Sequence, residues 1–271
     1  MTALLAVPNV SDGRDGDAIA AIAAAFDQEL LDVHSDPDHN RSVFTLAGEP
    51  GELAPAVLAG ARAALALIDL RNHEGLHPRV GALDVAPIVY LDERQRGAAC
   101  AEALLLGDLL GHELGLPVYL YGELAEGRTR AELRRGGPEA LANRAPDFGP
   151  GRLHPTAGAT LVAARPPLIA FNIELAPTAT EADAKRVAAD IREGGTDGLP
   201  GLRAIGLWLE RRRLAQVSTN VEDFRQTPLA EVVAAVARHA PISRTELVGV
   251  APREAFDDFP EDIEVVNLKV I

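Results

Sequence analysis

The feature that most constrains this chain is an order of elements that occurs twice: strand, helix, strand, strand, helix, strand. In the first half, residues 3–8, 29–34, 42–47 and 82–91 have the composition of strands. An alanine-rich stretch at 16–28 and apolar residues at helical spacing from Leu53 to about Asp69 supply two helices. A further helix is expected over 97–114, with Gly115 placed to end it, followed by a short strand at 118–122. In the second half, strands are expected at 168–175, 202–210, 213–219 and 245–250. A helix over 180–194 is expected to end at Gly194-Gly195. Another over 228–239 is expected to open with Thr227 as N-cap and Pro228 in its first turn. The βαββαβ order is that of a ferredoxin-like unit, so the expected fold is α/β, with two ferredoxin-like sandwich subdomains over 1–165 and 166–271.

Between the halves, residues 123–158 break the rhythm. They hold Arg128, Arg130, Arg134 and Arg135 within eight residues and read as a functional excursion or a linker. Their arginines read as a solvated charged loop, with a polyanionic tail as the alternative partner. The acidic stretch 254–264 reads as a solvated terminus.

Charge and composition exclude several functions. A net charge of −14 disfavours a nucleic-acid partner, which needs a basic face. No apolar run reaches the roughly 18–20 residues of a bilayer crossing, so no membrane role is expected. Met1-Thr2-Ala3 begins no basic signal region, and the cytoplasm is the expected location. The single cysteine, Cys100, falls in a helical pattern and reads as a small apolar residue.

His73-Glu74-Gly75-Leu76-His77 matches the H-E-x-x-H zinc motif in letters. Zinc binding by that motif needs an unbroken helix through both histidines. Gly75 weakens such a helix by roughly 1 kcal/mol, and Pro78 drives His77 out of the α region. No metal is therefore expected. His34, Asp36, Asp38 and His39 form a second cluster, which reads as a polar turn between two strands. From the residues alone, His77 is either a helix-end residue beside Pro78 or a proton-transfer group. His112 and His239 read as ordinary helix-end residues.

Eight segments in order resemble the glutamate formimidoyltransferase family. They are VPNVSDGRD at 7–15, DHNRSVFTLAG at 38–48, HEGLHPRVGALDVAP at 73–87 and LPVYLYGE at 116–123. They continue with APDFGP at 145–150, GAT at 158–160, LIAFNIEL at 168–175 and AQVSTNVEDF at 215–224. The resemblance implies a stand-alone transferase, without the cyclodeaminase to which some family members are fused. It implies transfer of a formimidoyl group from N-formimidoyl-L-glutamate to tetrahydrofolate as co-substrate, in histidine breakdown, and a homodimer. It also implies that His77 is the catalytic histidine. His73 matches a family position without an assigned role.

The chemistry asks for such a residue too. One amine loses a proton as it attacks and the departing amine gains one, which suits an imidazole titrating near neutrality. Arg41 and Arg79 are the candidates to bind substrate carboxylates, with His34 as a further substrate-binding position. The family's folate segment maps to Gly149, Pro150, Gly151, Arg152, Leu153, His154, Pro155, Thr156, Ala157 and Gly158. Two departures stand out. Leu153 and Ala157 occupy places where family members carry aromatics able to stack on a pterin, with His154 as a partial substitute. His34 stands where the animal enzymes have an acid. The alternatives are a formyl or other one-carbon transferase, and a silent folate- or metabolite-binding relative.

Overall fold

The structure is a computed structural model describing residues 3–271, so Met1 and Thr2 of the N-terminal reading lie outside the described residues. The chain divides into two compact units, Met1–Pro166 and Pro167–Ile271.

In the first unit, Pro8 breaks the opening strand into β1 (Leu4–Ala6) and β2 (Asn9–Val10), and both pieces pair with the same two neighbours. Helix α1 (Gly16–Ala25) follows, capped by the Asp15 carboxylate on the N–H groups of Asp17 and Ala18. Strands β3 (Glu29–Asp36) and β4 (Arg41–Gly48) form an antiparallel hairpin. Helix α2 (Leu53–Leu67) has no cap of its own. Glu102, buried on α3 (Arg96–Glu113), accepts from the N–H groups of Gly51 and Ala54 and supplies one from across the core. Strand β5 (Leu83–Val89) precedes α3, and β6 (Val118–Leu120) follows it.

Two short helices, α4 (Arg130–Arg134) and α5 (Gly137–Ala142), come before β7 (Thr160–Arg165). The sheet runs β3, β4, the β1/β2 strand, β5, β7, β6, and β7 is parallel to both of its neighbours. The sequence reading had no strand at 160–165. TLVAAR is a short run buried on both faces, without the alternation that marks a half-exposed strand.

Strand side chains alternate between two layers. Phe44, Leu46, Ala86, Ile88, Val118 and Val162 join α1, α2 and α3 in one core. Val85, Tyr119, Tyr121, Leu161 and Ala163 point the other way and are covered by Leu133 of α4 and Leu141 of α5. The arginine-rich excursion is therefore neither a linker nor a solvated loop: its apolar residues dock it on the sheet face opposite the long helices.

The second unit consists of β8 (Ile169–Leu175), α6 (Glu181–Ile191), β9 (Leu202–Leu209), β10 (Leu214–Val221), α7 (Leu229–Ala237), β11 (Ile242–Val248) and β12 (Val265–Val266). The order β11-β8-β10-β9, with every neighbouring pair antiparallel, is the ferredoxin-like one, and β12 adds a parallel edge beside β11. One face of this sheet packs on α6 and α7. On the other face buried Glu174 accepts from Arg212 and Arg244, and Asn172 donates to Glu246.

Three expectations are corrected in this unit. Helix α6 stops at Ile191, because Arg192 turns extended before Gly194 is reached. Pro228, not Thr227, is the extended N-cap of α7; the Thr227 hydroxyl donates to the carbonyl of Pro200. The acidic stretch is not a solvated terminus, since Phe256 and Phe259 pack edge-on against Phe171 and each other at 5.6–6.3 Å. Charge masked that apolar anchor. No helix among the described residues is long and apolar enough to cross a membrane.

Candidate active site

The segment carrying His77 is shaped by its neighbours, not by a helix. The Asp69 carboxylate caps a single turn at Leu70–Asn72, and His73 leaves it extended. Residues 73–77 then lie along the β3–β4 turn. The N–H groups of Leu76 and His77 donate to the carbonyls of Asp38 and His39 at 3.3 and 3.4 Å, and Asn40 Nδ2 donates to the carbonyl of Glu74 at 2.8 Å. Gly75 is required here, because a Cβ would lie 2.6 Å from the His39 carbonyl oxygen. The helix that the zinc motif needs is absent from this stretch, and the two histidines do not share a helical face.

The β3–β4 turn is built as its residues suggest. The Asp36 carboxylate accepts from the N–H groups of Asp38 and His39 at 2.8 Å, and Asn40 takes a positive φ of 51°. The turn is also part of the site: the His39 and His77 rings are 6.3 Å apart, tilted by 32°. Beyond Pro78 the chain is fixed again. The N–H of Val80 donates to Asp84 Oδ1 at 2.6 Å, and the Val80 carbonyl accepts from Ala159 at 3.0 Å.

The half-buried imidazole of His77 faces a cationic wall. Burial comes first in holding its pKa well below the ordinary 6.5; then come the charges of Arg41, Arg134, His39 and Arg130. The side chain is therefore neutral around pH 7. Arg41, at the start of β4, is itself brought down to about 10 by burial, which outweighs the opposing pull of Asp36 and Asp84. Its Nε is buried without a hydrogen-bond partner. Arg134 forms an ion pair with Asp84, whose side chain is only 1% exposed.

The other expected residues divide. Arg79 donates to the carbonyl of His73 at 2.8 Å, which binds its guanidinium to the loop. Burial lowers its pKa, against the pull of Asp84. His34 is buried on β3 opposite Val43, two positions from the Asp36–Arg41 pair and on the same sheet face. The pKa of His73 is lowered, by burial first, and its Nε2 meets the Asn40 carbonyl at 3.1 Å.

The 149–158 loop is joined to the same segment through the Gly81–Gly158 bridge, and the N–H of Ala82 donates to the carbonyl of Ala157. Several of its residues are used internally. His154 Nδ1 accepts from Ala157 N–H at 3.1 Å, Leu153 packs on the layer covered by α4 and α5, and Ala157 is buried in the core under the long helices. His154 therefore holds the turn closed through the edge of its ring. The exposed rim is formed by Gly151, Arg152 and Pro155.

Sequence reasoning missed Asp84, and it read Arg130 and Arg134 as part of a solvated charged loop. One signal was present: Thr129-x-x-Glu132 is a capping box, and the structure forms it. A helix starting there puts two arginines four residues apart on one face. A cavity of about 300 Å³ beside His73, lined by Ser11, Asp12, Asp15, Asn40, Asp69 and Glu74 among others, is acidic and does not include His77.

An imidazole in a loop beside a mixed sheet, within reach of the charges of several arginines, marks the candidate site of this α/β protein. Comparison with known proteins gives the family. The formiminotransferase domain, N-terminal subdomain, matches residues 3–165, and the formiminotransferase domain matches residues 170–260. The chain belongs to the formiminotransferase family.

It is 43% identical over 280 residues to the formimidoyltransferase-cyclodeaminase of Sus scrofa, covering 93% of this chain and 50% of that protein. It is 35% identical over 283 residues to the glutamate formimidoyltransferase of Thermoplasma acidophilum, covering 95% of this chain and 91% of that protein. The corresponding enzyme of Streptococcus pyogenes is 34% identical over 273 residues, covering 94% and 91%. The chain thus spans about half the length of the fused relatives and nine-tenths of the unfused ones.

Proposed function

We propose that the protein transfers a formimidoyl group from N-formimidoyl-L-glutamate to tetrahydrofolate, giving 5-formimidoyltetrahydrofolate and L-glutamate. The observation that carries this reading is the placement of His77 close to Arg41, Arg130 and Arg134, in a chain of this family. The folate amine attacks the amidine carbon of the donor, forming a C–N bond and a tetrahedral intermediate. Neutral His77 takes the proton that the amine sheds. The imidazolium then delivers it to the glutamate nitrogen as the old C–N bond breaks.

The arginines serve both halves of this cycle. Before an anion binds, their positive charges keep the imidazole in its neutral, proton-accepting form. Once the donor's carboxylates neutralise Arg41 and its neighbours, the imidazolium is tolerated long enough to act as an acid. Arg41 is the first carboxylate partner, and Arg79 and His34 shape the site around it. Folate lies along the rim of the 149–158 loop, using Arg152 and backbone in place of a stacking wall. No metal is given a role. The family resemblance adds a homodimer and a cytoplasmic location, and sedimentation at micromolar concentration tests the dimer.

The test is to incubate the purified protein with N-formimidoyl-L-glutamate and tetrahydrofolate and to follow both products by mass spectrometry. Formation of 5-formimidoyltetrahydrofolate is expected. Turnover with N-formyl-L-glutamate alone would replace formimidoyl with formyl, and no turnover with either donor would refute the transferase reading.

A further inference from the structure

The cationic wall extends past His77. Tyr121 follows β6 on the sheet face covered by α4, and its N–H donates to the carbonyl of Val162 at 3.1 Å. Arg165 ends β7, and alternation places it on that same face, in line with Leu161 and Ala163. Arg130 bridges the two regions. Its guanidinium carbon lies 5.8 Å from the centre of the Tyr121 ring, and its charge acts on His77, on Arg41 and on Arg165.

These groups lack acidic counterparts. The Tyr121 hydroxyl and Arg165 Nε are buried without hydrogen-bond partners, whereas the hydroxyl of nearby Tyr119 donates to two carbonyls. Arg165 donates through Nη1 to the carbonyl of Pro166, and its guanidinium also interacts with the Tyr121 side chain, which places the two groups side by side. Among the described residues no carboxylate pairs with Arg41, Arg130 or Arg165, while Asp84 is already taken by Arg134. A buried hydroxyl and several guanidinium groups left unsatisfied on one surface are costly unless an acceptor arrives.

We propose that Arg130, Tyr121 and Arg165 form a second carboxylate-binding subsite that selects a dicarboxylate donor. One donor carboxylate lies on Arg41 beside His77. The other is gripped by Arg165 and Arg130, with the Tyr121 hydroxyl donating a hydrogen bond. This rests on the proposed formimidoyl transfer and adds its specificity-determining residues.

The test compares the wild-type protein with Tyr121→Phe and Arg165→Gln. Tyr121→Phe removes a hydroxyl whose one polar neighbour in the fold is Arg165 and keeps the ring packed on the sheet, so it tests the subsite with little disturbance of the fold. KM for N-formimidoyl-L-glutamate is expected to rise roughly 10- to 100-fold in Arg165→Gln and about 5-fold in Tyr121→Phe. For both variants kcat should stay within about threefold and KM for tetrahydrofolate should be unchanged. With N-formimidoyl-L-glutamine, which lacks the second carboxylate, variants and wild type should converge. Unchanged donor KM in both variants, or equal losses with the two donors, would overturn the subsite.

Calorimetric titration with L-glutamate separates this from a failure of the transfer reaction. Binding to wild type that weakens at least tenfold in Arg165→Gln supports the subsite whether or not turnover is seen. Equal binding to both proteins, or none to wild type, overturns it.

Discussion

Asp84 and Arg134 form an ion pair between a carboxylate that is almost wholly buried on β5 and a guanidinium on the short helix α4. The other Asp84 oxygen accepts from the N–H of Val80, three residues beyond His77. One side chain thus anchors both the His77 segment and one of the arginines near it. Asp84→Asn keeps an acceptor for Val80 but releases Arg134, leaving a largely buried cation without its partner. The expected loss is roughly 2 kcal/mol of stability, with a fall in turnover as α4 loosens. Denaturant unfolding and steady-state kinetics on the same preparation check both.

His77→Ala should lower turnover by roughly 10²–10⁴ while leaving the circular dichroism spectrum unchanged. The imidazole is half-exposed, and the segment is held by backbone bonds at Leu76 and His77 that alanine retains. Loss of the fold or unchanged turnover would remove His77 from the mechanism.

The pH dependence follows from the lowered His77 pKa. In the proposed mechanism the basic form accepts the proton, so kcat/KM should fall as pH drops through the folded-state value, with its acid limb below 6.5. Bound carboxylates offset the arginine charges and raise that pKa, so the limb in kcat should appear at higher pH than the limb in kcat/KM. For stability, the unfolded imidazole binds its proton more readily. His77 therefore subtracts stability as pH falls below about 6.5 and has no such effect above it. Parallel pH profiles of kcat and kcat/KM provide the check; coincident limbs near 6.5 would contradict the arginine effect.

Much of this architecture was legible in the chain, for identifiable reasons. Strand β8 alternates apolar and polar residues, helix α2 carries apolar residues at helical spacing, and the hairpin turn at Asp36–Asn40 carries its own side-chain chemistry. Failures arose where tertiary burial overrode local appearance. Strand β7 is hidden on both faces, and Phe256 and Phe259 were masked by surrounding acids. The site divides in the same way. His77 and Arg41 lie on segments whose motif spells them out. Arg130, Arg134 and Asp84 meet only because Leu133 and Leu141 dock the excursion on the sheet, a contact no local pattern encodes.

Gly81 should tolerate no side chain. A Cβ there would collide with the carbonyl oxygen of Ala159, at the bridge joining the His77 segment to the 149–158 loop. Backbone has no rotamer with which to yield, so Gly81→Ala is expected to cost at least about 2 kcal/mol and to impair activity through geometry. Gly151→Ala, on the exposed rim with nothing near its Cβ, is the matched control and should change stability by less than about 0.5 kcal/mol. Thermal unfolding of the two variants distinguishes a steric effect at this join from a general intolerance of the loop.

Arg41 carries the sharpest conflict between stability and function. Burial pulls its pKa down to about 10, so the folded protein holds this charge less comfortably than water does. No ion pair or hydrogen bond offsets its buried Nε. Replacing an unsatisfied buried charge with an apolar side chain of similar volume is often neutral or stabilising. Arg41→Met is therefore expected to unfold at the same denaturant concentration as wild type or a higher one, while donor KM rises by about tenfold or more. The same change removes the foremost charge holding down the His77 pKa, so the acid limb of kcat/KM should move up toward 6.5. Arg41→Lys separates charge from shape: it preserves the depressed limb but not the bidentate grip, so its KM should remain high. If Arg41→Met proves strongly destabilised with an unmoved pH profile, Arg41 is a structural cation and the carboxylate must be bound elsewhere.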